Sequence, residues 1–398
     1  MSPTFASASA LATVRVTRKG ADRVFSGHPW VFASDVADRG EAAAGDVVRV
    51  LDPRGRVLGA AHYSSTSQIA IRMLSRQTEE IGREFFLRRL RAAAGLRARL
   101  VADTDAYRLV HGEGDLLPGL VVDRYGDAMV LQTLDQGMDR VKALLVECLR
   151  ELFSPAIVVV RNDVAVRTHE SLPLETSVIH GELPERVAIR MNGLLLQADL
   201  LRGQKTGVYL DQRENYLAAA RYAGGRALDC FTSTGGFALH MAPHCETVEA
   251  VDSSAAALAT AARNRDANGL TNVEFRQADL FDYLPAQAAA RRRFSTVVLD
   301  PPAFAKSRSA LQGAARGYRE INRRALELLE PGGVLVTCSC SHHLSEAALF
   351  EIVAAAALDA GKTLRVLERR TQPADHPILL TVPETLYLKC LILQVVGN

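Results

Sequence analysis

The stretch from Ala227 to Asp252, ALDCFTSTGGFALHMAPHCETVEAVD, constrains the fold more than any other part of the sequence. A short apolar run ends at Phe231, a small polar turn contains Gly235 and Gly236, and helical apolar spacing then begins. A second apolar run follows and reaches the carboxylate of Asp252. This order predicts a strand, a glycine turn, a helix and a second strand, which is half of a βαβ unit.

Ligands of open α/β sheets bind beyond the carboxyl ends of the strands. There, a glycine turn after the first strand allows close approach of the backbone, and an acid ending the second strand can accept hydrogen bonds from ribose. Gly235, Gly236 and Asp252 occupy these places. The spaced G-x-G-x-x-G of dinucleotide sites is absent, so the glycine pair after Asp229 and Phe231 favours a ligand without pyrophosphate, such as S-adenosylmethionine. An ordinary tight turn is the alternative reading of such a pair.

The size and composition of the chain limit the classes of protein to which it can belong. Its 398 residues suffice for two or three domains, and its 48% hydrophobic and 23% charged residues are typical of a soluble globular protein. The net charge is only +2, so contact with nucleic acid would depend on local basic patches. The six cysteines show no C-x-x-C spacing, which gives no sign of a metal site and predicts reduced thiols in a cytoplasmic protein. No apolar run approaches the roughly 20 residues that span a bilayer, so we expect no membrane association.

Residues 1–78 are predicted to form a small β-barrel. Short β-like runs alternate with turns between Val14 and Arg76, at the spacing typical of such barrels. Basic residues in this region predict an RNA-docking module, with a solvated surface as the alternative. These basic residues are Arg15, Arg18, Lys19, Arg23, Arg54 and Arg56. Trp30, the only tryptophan, is expected in the core.

Residues 79–192 are predicted to form a small mixed α/β domain. The segment from Glu80 to Val101 has helical apolar spacing and a basic face that could contact phosphates. The face consists of Arg83, Arg88, Arg89, Arg91, Arg97 and Arg99. A hairpin around Gly126 and a helix from Asp139 to Phe153 are expected next. The region contains no cluster of catalytic residue types, which indicates a structural connector.

Residues 193–398 are predicted to form a Rossmann-like α/β domain, because helices and strands alternate from Asp252 onward. The sheet should be doubly wound and parallel, with its last two strands antiparallel. Before the first strand of the parallel sheet lies a polar segment, GQKTGVYLDQREN at positions 203–215. This segment is a candidate wall of the cofactor pocket, although the start of a helix at Asp211 would explain its second half.

Three acids end three successive strands of this domain and should therefore meet at one edge of the sheet. Asp252 suits a ribose, Asp279 the exocyclic amine of an adenine, and Asp300 the reacting base. Each acid could instead cap the helix that follows it. The candidate cofactor-binding residues along this edge and in the polar segment are Lys205, Thr206, Gly207, Tyr209, Asp211, Arg213, Asp229, Phe231, Gly235, Gly236, Phe237, Asp252, Ser253, Asp279 and Pro301.

The sequence DPPAF, from Asp300 to Phe304, is the most distinctive short motif. Its two prolines fix an extended turn, and Phe304 offers a ring on which a nucleobase can stack. Similar Asp/Asn-Pro-Pro-aromatic stretches occur in methyltransferases that act on exocyclic amines, so the motif alone favours N-methylation. Pro302 and Phe304 are the candidate substrate-binding residues.

Two cysteines near the end of the following strand indicate a different reaction. Carbon 5 of a pyrimidine becomes nucleophilic only after a thiolate adds to carbon 6, so a carbon methyltransferase needs a cysteine beside the acid. Cys340 could fill this role with Asp300, which would protonate or hydrogen-bond N3 of the base. Core packing is the alternative for both cysteines, and Cys338 is expected to be the more buried. His342 and His343 could act as bases, pack, or contact RNA.

The chain resembles the large-subunit ribosomal RNA methyltransferase I family in five segments, GQKTGVYLDQREN, LDCFTSTGGFALH, VVLDPPAFAKS, TCSCSHH and DHPILLTVPETLYLK. HPWVF and YRLVHGEGDLLPGLVVDRYGD are similar to the PUA and central domains of that family. The resemblance implies a cytosine-5 methyltransferase with S-adenosylmethionine as cofactor and 23S rRNA as substrate and partner. It also implies that Cys340 is the nucleophile and that Cys338 packs. Broader RNA cytosine-5 enzymes carry another cysteine where this chain has Ala303. A homodimer is the assembly that we expect.

Overall fold

The computed structural model describes residues 11–304 and 311–397, which belong to two compact units. Unit 1 consists of Met1–Ile189, Ala198–Gly207 and Ala374–Thr385. Unit 2 consists of Arg190–Gln197, Val208–Pro373 and Leu386–Asn398. None of the helices in the described ranges is long and apolar enough to cross a membrane.

The first sheet of unit 1 is built from the short apolar runs of the N-terminal region. Its elements are β1 (Ala12–Val16), α1 (Arg18–Phe25), β2 (Trp30–Phe32), β3 (Val36–Asp38), β4 (Val47–Leu51), β5 (Val57–Tyr63) and β6 (Ile69–Ser75). The strand order is β2-β6-β5-β4-β1-β3, and alternate side chains such as Val14, Val48 and Ile71 are fully buried inside it. The predicted strands are confirmed. Trp30, expected in the core, is only half-buried and donates its indole N–H to Glu113 at 2.8 Å.

The second sheet of unit 1 is mixed and is accompanied by three helices. Its elements are α2 (Arg83–Leu100), β7 (Ala106–His111), β8 (Leu120–Tyr125), β9 (Ala128–Thr133), α3 (Gln136–Arg140), α4 (Lys142–Phe153), β10 (Ile157–Arg161) and β11 (Thr176–His180), with strand order β11-β10-β9-β8-β7. The predicted hairpin is confirmed, because β8 and β9 pair antiparallel around Gly126, whose φ is +60°. The helix predicted from Asp139 to Phe153 is instead two helices that meet at Val141.

The basic face predicted for α2 does not include Arg97 as a phosphate contact. Arg97 is 2% exposed, and its guanidinium forms an ion pair with Asp115. It also donates to the backbone carbonyls of Arg108 at 2.8 Å and Asp375 at 2.7 Å. A buried guanidinium with these partners cannot reach a phosphate, so the prediction is wrong for Arg97.

A short hairpin consists of β12 (Val187–Met191) and β13 (Leu194–Ala198). Asn192 and Gly193 form its turn, with φ of +51° and +83°. A two-residue turn of this kind requires positive φ at both central positions, which explains the Asn-Gly sequence. The turn therefore joins β12 and β13 as the two strands of a separate small sheet.

The other elements of unit 2 alternate as the sequence predicts. They are α5 (Arg213–Tyr222), β14 (Arg226–Cys230), α6 (Gly236–Met241), β15 (Thr247–Asp252), α7 (Ala255–Ala267), β16 (Val273–Gln277), α8 (Leu280–Ala289), β17 (Phe294–Leu299), α9 (Leu311–Leu328), β18 (Leu329–Ser339), α10 (Glu346–Asp359), β19 (Thr363–Arg370) and β20 (Lys389–Gly397). The strand order is β16-β15-β14-β17-β18-β20-β19. The first five strands are parallel and β20 is antiparallel to both of its neighbours, which confirms the predicted sheet. The order reverses direction at β14, so the carboxyl ends of β14 and β17 flank the switch point where ligands bind.

Two local features of unit 2 differ from the prediction. Helix α8 was not expected, because Pro285 in its interior lacks an N–H and is unfavourable in a helix. Residues 330–333, EPGG, have the composition of a turn, yet they lie within β18 as an irregularity in its pairing with β17, and Gly332 there has φ of +80°. Neither difference changes the order of the strands.

The core of unit 2 fixes the edge of the sheet on which the candidate site lies. Leu228 of β14, Val297 of β17 and Leu335 of β18 are fully buried in one apolar cluster with Tyr318 of α9 and Leu349 of α10. Burying each such aliphatic side chain contributes about 1.5–3 kcal/mol to stability. The ends of these strands are therefore held on a closely packed platform.

Candidate active site

The turn after β14 depends on its two glycines for steric reasons. Phe231 and Ser233 have φ of +64° and +50°, and Gly235, which precedes α6, has φ of +90°. A Cβ on Gly236 would lie 2.4 Å from Cζ of Tyr216, closer than real Cβ contacts allow. The glycine pair therefore shapes the turn, while its contact with a cofactor stays a prediction.

Asp229, near the end of β14, stabilises this turn through hydrogen bonds. The residue is fully buried, and its Oδ2 accepts from the Thr232 hydroxyl at 2.6 Å and the Ala238 N–H at 2.9 Å. Among the described residues, its Oδ1 has no hydrogen-bond partner. Burial raises the pKa of Asp229 to about 7; its two hydrogen bonds oppose this shift, and Asp300 and Asp252 add to it. A buried carboxylate oxygen without a partner suits a ligand that brings a donor or a positive charge.

Asp252 and Asp279 lie at the ends of the adjacent strands β15 and β16. Asp252 is half-buried, and its two oxygens accept from the N–H of Ser233 at 2.9 Å and of Ser254 at 2.8 Å. Each oxygen keeps a lone pair that a ribose hydroxyl could use. Asp279 is exposed and caps α8 by accepting from Phe281 N–H at 2.7 Å, so the alternative reading as a helix cap applies to it. Ser253, next to Asp252, is exposed.

Asp300 directly follows β17 and is half-buried. Its Oδ1 accepts from the side-chain amide of Gln212 at 3.0 Å. Pro301, the next residue, is buried. The Asp300 carboxylate is thus oriented by a side chain from the polar segment that precedes the parallel sheet.

Two other aromatic rings of the protein lie close to the ring of Phe304. Its centroid lies 4.7 Å from that of Tyr318 and 6.2 Å from that of Phe281. Phe304 is half-buried, whereas Pro302 is exposed. Stacking of a nucleobase on Phe304 stays a prediction, and it is limited to the part of the ring that Tyr318 and Phe281 do not cover.

The two cysteines at the end of β18 differ in burial, as expected. Cys338 is fully buried and faces Cys390 of β20, and burial raises its pKa well above the ordinary thiol value. Cys340 directly follows β18 and is half-buried. Of the two thiols, only that of Cys340 is placed where a substrate could reach it.

Four of the predicted site residues act on the pKa of one side chain, that of Tyr209. Burial raises the pKa of Tyr209, and the charges of Asp300, Asp211, Cys340 and Asp252 act in the same direction. Such interactions weaken rapidly with distance. These four predicted site residues therefore all lie within electrostatic range of the Tyr209 phenol.

Three other predicted site residues of unit 2 have interior side chains. Asp211 is buried and accepts from the Tyr387 hydroxyl at 2.9 Å. Arg213 is 3% exposed, and Phe237 packs edge-on against Tyr216 with 4.8 Å between ring centroids. These contacts support the walls of the site, and direct contact with a cofactor stays a prediction for all three.

The predicted residues Lys205, Thr206 and Gly207 belong to unit 1. The buried Thr206 hydroxyl donates to Asp123 at 2.6 Å and lies 2.7 Å from the Tyr125 hydroxyl. A Cβ on Gly207 would lie 3.1 Å from the Tyr125 ring, and Lys205 is exposed. Within unit 1 Thr206 and Gly207 thus have a packing role, and their part in a cofactor site stays a prediction.

Polar side chains surround Cys340, and among them only His342 was predicted from the sequence. The Tyr318 hydroxyl lies 2.9 Å from Oγ of Ser339 and 3.2 Å from Oγ of Ser341, on either side of Cys340 in sequence. His342 is exposed and stacks on Tyr387, with 5.3 Å between ring centroids. Tyr318 lies within the amphipathic helix α9, so the sequence gives no sign that its hydroxyl contacts the serines beside Cys340.

Lys389, at the start of β20, was also missed. It is 4% exposed, and its Nζ donates to the backbone carbonyls of Ser341 and Tyr387, each at 2.7 Å. The available signal was a lysine within the otherwise apolar run LKCLIL, because lysine is rarely fully buried.

Comparison with known proteins defines the class of this chain. Residues 14–76 match the model of a PUA-like domain, and residues 107–393 match that of S-adenosylmethionine-dependent methyltransferases. SMU.776, a candidate methyltransferase crystallised with S-adenosylhomocysteine, shares the fold with a TM-score of 0.84, at 20% identity over 97% of this chain and 100% of its own. A candidate S-adenosylmethionine-dependent methyltransferase from Streptococcus mutans has a TM-score of 0.82, with the same identity and coverage. Fold and site thus define an S-adenosylmethionine-dependent methyltransferase with an N-terminal PUA-like domain.

Curated relatives give the particular family. Proteins named ribosomal RNA large subunit methyltransferase I are 42% identical over 371 residues in Klebsiella pneumoniae, covering 91% of this chain and 93% of the relative. In Shewanella amazonensis the identity is 43% over 378 residues, covering 92% of this chain and 95% of the relative. The chain belongs to the ribosomal RNA large subunit methyltransferase I family, which confirms the resemblance seen in its motifs.

The residues at the sheet edge fit S-adenosylmethionine, the cofactor of this class. Asp229 presents a buried carboxylate oxygen without a partner among the described residues, which suits a cationic donor. The turn at Gly235 is glycine-dependent, and Asp252 ends the strand whose acid meets ribose in such sheets. No pyrophosphate-binding pattern competes with this assignment.

Proposed function

We propose that the protein methylates carbon 5 of a cytosine in 23S rRNA through a covalent bond to Cys340. One observation carries the proposal: the half-buried thiol of Cys340 follows β18, and Asp300 follows the adjacent parallel strand β17. Both groups influence the same phenol, that of Tyr209. The names of the curated relatives support ribosomal RNA of the large subunit as the substrate.

The cofactor would be held on the β14–β16 side of the switch point. When bound, S-adenosylmethionine supplies an electrophilic methyl group. Asp252 would accept hydrogen bonds from its ribose, and Asp229 would face its cationic part through Oδ1. Asp279, which is exposed beyond β16, would accept from the exocyclic amine of the adenine.

The chain's own residues perform the activation of the base. Sγ of Cys340, as a thiolate, adds to carbon 6 and forms a carbon–sulfur bond, while Asp300 hydrogen-bonds or protonates N3. The ring electrons then make carbon 5 nucleophilic toward the methyl group. After methylation, loss of the carbon 5 proton restores the double bond between carbons 5 and 6, and the carbon–sulfur bond breaks to release the thiolate.

Mass spectrometry of nucleosides tests the chemistry directly. Unmodified 23S rRNA is incubated with the protein and S-adenosylmethionine, digested, and compared with standards. We expect 5-methylcytosine as the new nucleoside, with none formed by Cys340→Ser and normal amounts formed by the matched variant Cys338→Ser. A nucleoside methylated on an exocyclic amine would contradict the carbon 5 reaction and favour the alternative reading of the DPPAF motif.

The proposal includes RNA docking by the first sheet of unit 1 and a cytoplasmic location. Exposed basic residues on that sheet, its helix α1 and its turns, such as Arg15, Arg18 and Arg54, support the docking role. Six reduced thiols and a ribosomal substrate support the location. The homodimer stays a prediction, which light scattering after gel filtration would check.

A further inference from the structure

Lys389 is a buried charge in an otherwise apolar part of unit 2. It is the first residue of β20 and pairs with Ser339 of β18 in the antiparallel register. Only 4% of the residue is exposed. Burying an ammonium group is costly unless it is both hydrogen-bonded and paired with an opposite charge. Apolar neighbours such as Leu391 and Ile392 on β20 show that a charge is not needed for the strand to pack.

The hydrogen bonds of Lys389 do not balance its charge. Two of its three N–H donors go to the neutral carbonyls of Ser341 and Tyr387. Within the described ranges, no carboxylate forms an ion pair with it. Burial lowers the pKa of Lys389 to about 8, and the one charge that opposes this shift is the thiolate of Cys340.

The same contacts hold Lys389 against the two residues that flank Cys340. Lys389 pairs with Ser339, the residue before Cys340, and its Nζ bonds to the carbonyl of Ser341, the residue after it. The lysine is thus anchored on both sides of the cysteine along the chain. A group so fixed loses little entropy when it stabilises a neighbouring anion.

We propose that Lys389 is the positioning residue that holds Cys340 as a thiolate, both before it adds to carbon 6 and when it leaves. This inference rests on the proposed function, because it assigns a partner to the nucleophile. In its neutral form Nζ accepts the S–H proton of Cys340, which gives an ammonium–thiolate pair. When the carbon–sulfur bond breaks, the electron pair returns to sulfur and the same ammonium stabilises the thiolate.

This role accounts for two requirements of the reaction. An ordinary thiol with a pKa near 8.5 is only roughly 3% ionised at pH 7, so the nucleophile needs a positive neighbour. Release of the thiol must proceed without the second cysteine of the broader RNA cytosine-5 group, since this chain has Ala303 at that position. A fixed ammonium improves sulfur both as nucleophile and as leaving group.

Four other titratable groups lie near Cys340. The charge of Cys340 acts on Tyr209 and Tyr318, and Asp300 ends the adjacent strand β17. The two phenols and the carboxyl group carry no positive charge, and His342 is exposed and stacks on Tyr387. Replacing Lys389 by a neutral residue should therefore remove a buried positive charge that acts on the thiolate.

The pH dependence of alkylation tests the proposal. Full-length protein, Lys389→Gln and Lys389→Arg are treated with iodoacetamide between pH 6 and 10, and modified Cys340 is quantified by peptide mass spectrometry. We expect the wild-type inflection below about 8.5, an upward shift of about 1 pH unit or more in Lys389→Gln, and a near wild-type curve in Lys389→Arg. Methyl transfer by Lys389→Gln should fall about tenfold or more at pH 7 and recover as pH rises, whereas a merely structural loss would be similar at every pH.

Two results would overturn the proposal. One is a Lys389→Gln curve that superimposes on the wild-type curve in a protein that still binds S-adenosylmethionine by calorimetry. The other is a wild-type inflection at or above about 8.5, a measurement that needs no variant and decides the question even if Lys389→Gln does not fold. Failure of the covalent mechanism would be recognised separately, because Cys340→Ala would then stay active while the alkylation curves were unchanged.

Discussion

The two halves of the candidate site in unit 2 are held in place by different means. On the β14–β16 side, Asp229, Asp252 and Asp279 each accept at least one hydrogen bond from a backbone N–H of a turn or helix start. On the β17–β18 side, Asp300 is oriented by the side chain of Gln212, and the side chain of Lys389 donates to the carbonyl of Ser341, the residue after Cys340.

This difference separates cofactor binding from chemistry. Backbone amides are fixed by the fold, so the cofactor side is organised before any ligand arrives. Side chains from distant segments can be replaced singly without changing the turns. Substitutions on the β17–β18 side should therefore affect the rate most, and those on the β14–β16 side should affect binding and stability.

The largest expected effect is that of Asp300→Asn on methyl transfer. Asparagine has nearly the same size but cannot protonate N3, and such proton transfers contribute about 10²–10⁴-fold to rates. We expect kcat to fall by at least about 100-fold while calorimetric affinity for S-adenosylmethionine changes little. An equal loss of rate and affinity would show that Asp300 belongs to the cofactor side. Gln212→Met, which removes one hydrogen bond to the Asp300 carboxylate but keeps the carboxylate itself, serves as the milder comparison.

Next in size is the pH dependence of stability caused by Asp229. Its pKa is about 7 in the folded protein against an ordinary 3.8, so between these values the folded state keeps a proton that the unfolded chain has lost. Stability of the wild type is therefore lost as pH rises from about 4 to 7, by on the order of 4 kcal/mol for this group. Asp229→Asn lacks this titration.

Urea unfolding of both proteins at several pH values measures the effect. The stability of Asp229→Asn relative to the wild type should increase between pH 4.5 and 8 and then level off. A constant difference between the two proteins across this range would mean that the Asp229 carboxylate is not strained by burial.

A smaller effect is expected for Asp252→Ala on cofactor binding. Loss of a charged acceptor to the ribose hydroxyls should weaken S-adenosylmethionine binding by about 1.5–3 kcal/mol. Asp279→Ala is the matched comparison, because Asp279 is exposed and its loss should cost less. Unchanged calorimetric affinity in Asp252→Ala would remove this residue from the site.

The smallest effect is expected from charge reversal on unit 1. Arg18→Glu and Arg54→Glu replace exposed arginines and should weaken binding of rRNA fragments, with a salt slope lower by about 1 for each lost phosphate contact. Arg365→Glu, an exposed arginine of unit 2, is the control. Equal behaviour of all three variants would argue against docking by the first sheet.

The sequence predicts the features that depend on local residue patterns, but not the contacts between residues that are distant in sequence. The strands, the glycine turn and the acids at the strand ends follow from local apolar spacing and turn residues, and these predictions are confirmed as structure. Helix α8 was not predicted because Pro285 lies in its interior, where proline is unfavourable. Arg97 and Lys389 were misjudged or missed because their partners, the carbonyls of Asp375 and Ser341, are distant in sequence and carry no side-chain signal.

The central claim is the covalent bond between Cys340 and the target cytosine, and an RNA carrying 5-fluorocytosine at that position tests it most directly. Fluorine at carbon 5 leaves no proton to remove after methylation, so the carbon–sulfur bond cannot break. We predict a stable protein–RNA adduct, mapped by mass spectrometry to Cys340, for the wild type and for Cys338→Ala, and none for Cys340→Ala. Full methylation of ordinary rRNA by Cys340→Ala, without any adduct in the wild type, would contradict the account and favour methylation of an exocyclic amine as the reaction.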